Sequence, residues 1–259
     1  VCVRNEAGEL LAETDHSAYE EFPDGRYSLE LCGPIKIYLR VDGPVTVASD
    51  VDRTHLGFDG VREVRVGARS HHEGPAATLV TTSNPLDVMA AVSEFSSALK
   101  TTSPERSYPT LRGHPPLVEL GDQLEIPDGV ASPETGVRLE LPPEYESIHV
   151  AAPLAYYLAA DVVPGDRPRL VTDDGFEHDL DTVRGFETEV ERVLKQTFFL
   201  DCVTRTEGYY SVDLHERGAV EADLDLNFEW LYDQPLRTQV EEYLSLPFGT
   251  VEDELPEWR

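Results

Sequence analysis

Patterning along the chain points to an α+β fold, with an N-terminal antiparallel β-rich unit followed by a mixed α/β unit that ends in a helical segment. Three observations carry this expectation. Up to about residue 82, short stretches alternate apolar and polar side chains at roughly ten-residue spacing, as strands with one buried face do. From Pro85 onward, apolar residues recur at three-four spacing, as on amphipathic helices. A proline-rich stretch over residues 101–116 separates the two characters.

The elements follow in order. Tyr27, Leu29 and Leu31 alternate, as do Ile35, Ile37, Leu39 and Val41, with Gly33-Pro34 as the turn between them. Asp42-Gly43-Pro44 turns the chain into a strand carrying Val45 and Val47, and further strands are expected around Val64, Val66 and Ala68 and over 77–82. Regular short strands of this kind suit an antiparallel sandwich or an open sheet. Asn84 before Pro85 has the form of an N-cap with proline at the first helical position, and Val88, Val92, Phe95 and Leu99 make one apolar face of a helix over 85–100. Beyond the prolines, strands are expected over 137–141, 148–151, 161–163 and 169–172, a short helix over 153–160, and a turn at Asp173-Asp174-Gly175. The strongest helical pattern begins near Thr182 and places Val183, Phe186, Val190, Val193, Leu194 and Thr197 on one face; further helices are expected over 235–244 and 251–258. The expected organisation is a β-rich unit with a closing helix over 1–100, a linker or lid over 101–120, and a mixed α/β unit over 121–259.

Charge narrows the function. The chain has 50 acidic against 21 basic residues, a formal net charge of -29, and only Lys36, Lys100 and Lys195 are lysines. A dedicated nucleic-acid or anionic-membrane binder needs a basic face, so both classes are excluded as expectations. Abundant acid with arginine kept and lysine rare suits a surface hydrated in molar salt, where the Debye length is about 3 Å and self-repulsion is screened. That reading places the protein in a halophilic cytoplasm. The longest stretch without polar side chains, 151–160, is far short of the roughly 20 residues of a membrane-spanning helix. The N-terminal Val1-Cys2-Val3-Arg4 lacks signal-peptide architecture and an initiator methionine, which leads to the expectation of a piece from a longer chain. Cys2, Cys32 and Cys202 are widely separated and form no CxxC pair, as reduced cytosolic thiols would be.

Few constellations carry chemistry. In 103–116, Arg106, Tyr108, Arg112 and His114 gather positive charge in an otherwise acidic chain. Guanidinium groups bind carboxylate or phosphate through a planar fork, and proline would pre-position them, which makes these four residues a candidate small-anion site. The opposing role for both arginines is to pair with internal acids and pin the segment. Arg62, Arg65, Arg69, His71 and His72 form a second basic stretch, but adjacent histidines on a strand point to opposite faces and chelate poorly. The run from Asp173 to Asp179 lacks the spacing of a calcium loop, so no metal site is expected. The sequence contains no glycine-rich phosphate loop, GxSxG elbow or HExxH, and no cofactor is expected.

Two resemblances bear on function. His149 in Ser147-Ile-His-Val-Ala, with Cys202 after Phe198-Phe-Leu-Asp, resembles the histidine and cysteine of caspase-like (CHAT or clan CD) proteases. The resemblance implies a histidine base and an attacking thiolate, although His149 is followed by Val150 where that family has glycine. The runs Arg106-Ser-Tyr-Pro-Thr-Leu-Arg-Gly-His-Pro-Pro and Ala152-Pro-Leu-Ala-Tyr-Tyr-Leu-Ala-Ala-Asp-Val-Val-Pro-Gly resemble a haloarchaeal protein family of unknown function with longer members. The leading expectation is a non-catalytic interaction or regulatory region of a larger cytosolic protein, partnered by other domains of its own chain or by another protein. Its rivals are a cysteine hydrolase using Cys202 and His149, and a small-anion binder using Arg106, Arg112 and His114.

Overall fold

In the computed structural model, which describes residues 1–14, 18–32, 35–50, 53–69, 74–208, 214–221, 224 and 226–255, the chain divides into two units, Val1–His72 and Glu73–Arg259. The fold is α+β, with strands concentrated in the first unit and helices in the second.

In the first unit the strands are β1 (Cys2–Arg4), β2 (Leu10–Glu13), β3 (Tyr19–Phe22), β4 (Arg26–Cys32), β5 (Lys36–Asp42), β6 (Val45–Ser49), β7 (Thr54–Phe58) and β8 (Val64–Arg69). They form two sheets, ordered β2-β1-β4-β5-β8 and β3-β6-β7, with every pairing antiparallel. Period-two alternation buries Val3, Tyr27, Leu29 and Val41 from the first sheet against Val45 and Val47 from the second, so the two share one core. Gly43, with φ of 119°, makes the turn between β5 and β6, a conformation open to glycine and strained for other residues. The Gly33-Pro34 turn and the His71-His72 pair lie outside the described residues, and Arg62, Arg65 and Arg69 are exposed.

The second unit contains β9 (Thr78–Thr81), α1 (Pro85–Ser93), β10 (Leu117–Leu120), β11 (Val137–Leu141), α2 (Tyr145–Leu158), β12 (Asp161–Pro164), β13 (Arg169–Thr172), β14 (Glu177–Asp179), α3 (Phe186–Thr204), α4 (His215–Val220), α5 (Phe228–Tyr232) and α6 (Leu236–Ser245). β9 and β10 pair in parallel, and a four-stranded sheet runs β12-β11-β13-β14. Within it β11 and β12 are parallel, joined through α2, as a parallel pair requires a crossover.

Several elements differ from the sequence expectation. The strand expected over 148–151 and the helix over 153–160 are one helix, α2, which buries Ile148, Ala151, Leu154, Ala155 and Leu158 at three-four spacing straight through Pro153. Proline removes one backbone donor, but the buried stripe on both sides holds the helix together. The helix expected from Thr182 begins at Phe186: Gly185 closes a turn onto the Thr182 carbonyl at 2.9 Å, and Val183 is fully exposed. That helix continues past Thr197 to Thr204, which puts Cys202 inside it. The helix over 85–100 ends at Ser93 and passes into a 3-10 turn, Glu94–Ala98, while within 251–255 there is a single 3-10 turn, Glu252–Glu254.

Residues 101–120 belong to the second unit. The proline-rich stretch forms 3-10 turns at Pro104–Ser107 and Pro109–Leu111 and buries Pro104, Arg106 and Ser107. Gly113 donates to the Ala98 carbonyl at 2.9 Å, and a Cβ there would sit 2.7 Å from that oxygen, so only glycine permits this approach. Two apolar clusters fill the unit, and α3 serves both: Val190 and Val193 in one, Phe199, Leu200 and Val203 in the other. No helix among the described residues is long and apolar enough to cross a membrane.

Candidate functional site

Arg106, the first residue of the expected anion site, is fully buried. Its Nη2 donates to Asp201 Oδ1 at 2.7 Å, and its Nη1 donates to the Thr102 carbonyl at 2.6 Å and to Gln239 Oε1 at 3.1 Å. Asp201 is equally buried, and its Oδ2 accepts from the Tyr157 hydroxyl at 2.6 Å. Burial pushes the Asp201 carboxyl up to about 6 even though Arg106 pulls the other way. Burial, followed by the neighbouring Asp201 charge, also drives the Tyr157 phenol well above its usual value. Arg106 thus pins the proline-rich segment to α3 and α6 through a buried ion pair, as the sequence-based alternative has it.

Arg112 is placed differently. Its Nη1 donates to the main-chain carbonyls of Arg106 and Ser107 at 3.2 Å each, and its guanidinium carbon lies 5.9 Å from the Tyr157 ring centre and 5.4 Å from that of Phe198. It borders a pocket of about 610 Å³ in the second unit. α3 and the residue just past its end supply much of the wall, because Leu194, Phe198, Cys202 and Arg205 recur at four-four-three spacing. Pro153, Tyr156 and Tyr157 of α2 stand opposite at three-four spacing, and Leu214 and Leu255 complete the apolar lining.

Two features of the charge in this pocket are unusual for so acidic a chain. Arg112 and Arg205 both line it, and among the described residues neither forms an ion pair with a carboxylate. Arg205 instead donates from Nη1 to Ser107 Oγ at 2.8 Å and stacks 3.9 Å from the Tyr108 ring centre. Lys195, the other cation, is paired with Glu191 at 2.7 Å. A smaller pocket of about 260 Å³ beside α3 shows the commoner pattern: Glu189 there meets Arg192 at 3.0 Å, His178 at 3.1 Å and Thr182 at 3.3 Å.

Of the residues expected to form sites, Arg112 and Cys202 share the pocket lining, and Tyr108 adjoins it through Arg205. His114 is exposed and outside the lining. His149 is exposed on α2, stacked on Tyr145 with ring centres 6.0 Å apart, and no hydrogen bond joins it to Cys202 among the described residues. Burial raises the Cys202 thiol above its usual range; Arg205, the Ser107 side chain and Arg112 oppose this in part. Arg205 has no signal in the sequence, because the apolar stripe of α3 is clear only as far as Thr197. The helix runs on to Thr204, and Arg205, its C-cap, follows Phe198 and Cys202 at helical spacing. Among the described residues, no group of three or more His, Cys, Asp or Glu side chains is placed to hold a metal ion. No protein-family model, curated protein or solved structure matches the chain.

Proposed function

We propose that the second unit is a small-molecule-binding module with a non-catalytic, regulatory role, and that the chain operates in a salt-rich cytoplasm. One observation carries this reading: an apolar pocket of about 610 Å³ lined by two arginines that have no carboxylate partner among the described residues. The volume lies within the roughly 300–1,000 Å³ typical of small-ligand sites, and an apolar wall with a few convergent polar groups is their usual chemistry. The thiol in the wall supports binding over catalysis. Burial holds Cys202 in its protonated form, and a thiol without a base beside it is a weak nucleophile.

A set of aromatic fragments of mixed charge, screened against the full chain by ligand-observed NMR, tests the reading. Fragments should bind, compete with one another, and lose binding in Leu194→Trp, whose larger side chain fills the pocket, while Cys202→Ala keeps it. An empty screen, or fragments that bind a folded Leu194→Trp variant equally well, refutes the proposal. Thiol-dependent turnover lost in Cys202→Ala would restore the hydrolase reading.

A further inference from the structure

We infer that the pocket's ligand is an amphipathic carboxylate, whose head sits between Arg112 and Arg205 and whose apolar body lies along the α3 face formed by Leu194 and Phe198. This inference rests on the pocket being a ligand site. The first argument is local charge. The lining holds Arg112, Lys195 and Arg205 against Glu191 and Glu216, a positive excess in a chain with 50 acidic and 21 basic residues. Lys195 is already paired with Glu191, and both Glu191 and Glu216 are exposed, so water solvates their charge. The unneutralised charge facing the apolar wall is that of the two arginines.

The second argument is orientation. Both guanidinium groups are anchored on Ser107: Arg112 Nη1 on its carbonyl at 3.2 Å, Arg205 Nη1 on its hydroxyl at 2.8 Å. Each keeps Nε and Nη2 without a protein partner among the described residues, so each retains a pair of parallel donors. Such a pair matches the two oxygens of a carboxylate, and anchored guanidinium groups lose little freedom on binding. Ser107 is itself buried and donates to the Pro104 carbonyl at 2.7 Å, so the anchor is fixed. The third argument is the size of the charge. A monoanion gives up less hydration than a phosphate dianion on moving beside the pocket's apolar wall, which makes a carboxylate the preferred head.

Matched probes decide the matter: naphthalene-2-carboxylate, its neutral amide 2-naphthamide, and the dianion 2-naphthyl phosphate, titrated into the full chain by calorimetry in 2 M KCl. The acid should bind at least tenfold tighter than the amide. Salt screens exposed charges far more than partly buried groups in direct contact, so hydrogen-bonded contacts survive at that concentration. In Arg112→Met and in Arg205→Met, each checked for native circular dichroism, the preference for acid over amide should fall to threefold or less. Equal binding of acid and amide overturns the carboxylate assignment and leaves the pocket reading standing. A phosphate that outbinds the acid also overturns the assignment. If all three probes fail while other fragments from the screen bind, the ligand class is wrong; if nothing binds, the pocket reading falls with it.

Discussion

Arg106 and Asp201 are both sealed from water and form an ion pair at 2.7 Å. Burial dominates the carboxyl, lifting it from 3.8 to about 6. A carboxyl raised on folding takes up a proton in the folded state before it does in the unfolded chain. Its contribution to stability is therefore fully present below pH 3.8 and is lost as pH rises through about 6. Arg106→Met removes the largest of the attractions that favour the ionised form, ahead of the hydrogen bonds from Tyr157 and Tyr243 and the charge of Arg205, so Asp201 shifts further up. The variant should lose about 3–5 kcal/mol at pH 8, where a lone carboxylate must be buried or protonated. At pH 5 the acid folds in neutral form and the loss should be clearly smaller. Urea denaturation of both proteins at the two pH values measures this, and an equal loss at both would show that the Asp201 charge is immaterial.

Helix α2 ends in a way that makes a second prediction. Ala159 closes it in the left-handed conformation, with φ of 45°, and Ala160 donates to the Ala155 carbonyl at 2.9 Å. Alanine is strained there and glycine is not. Ala159→Gly should stabilise the protein by up to about 1 kcal/mol, whereas Ala155→Gly, one turn earlier in the buried helix, should cost about 1 kcal/mol or more. Thermal melts that gave the two changes the same sign would contradict the assigned cap. Element by element, what the sequence disclosed follows from how local each signal is. The β4–β5 hairpin was readable because alternation and pairing partners lie within a few residues. The course of α2 was hidden by Pro153 and by the β-branched Ile148 and Val150, which mimic a strand with a break after it. The end of α3 was hidden because Phe198, Phe199 and Leu200 are apolar in a row: Phe198 faces the pocket while the next two fill a core cluster, so no single stripe persists. Arg112 is legible in the sequence as a candidate anion-binding cation, whereas Arg205, which joins it in the pocket lining, becomes apparent only when α2 and α3 face each other.

For the whole molecule the governing quantity is the charge of -29. Repulsion on this scale opposes any compact state in dilute buffer and is screened within about 3 Å at 1 M salt. The unfolding midpoint should therefore climb steeply between 0.1 and 2 M KCl, as followed by circular dichroism on heating; a flat midpoint would remove the halophilic interpretation of the composition. The parallel pairings β9–β10 and β11–β12 were beyond sequence reading for a related reason, since they join segments whose separation exceeds any local pattern. The same long-range construction gives the two ends of the pocket different tolerances. Arg112 hangs from the carbonyls of Arg106 and Ser107, on a segment held by a buried ion pair, so the guanidinium end cannot shift without unmaking the core. The lining also includes Leu214, the N-cap of α4, a helix of six residues that has little stability of its own. In the proposed role such a cavity would read the head group strictly and host varied tails, which would suit it to sensing a class of related molecules by the one end they share.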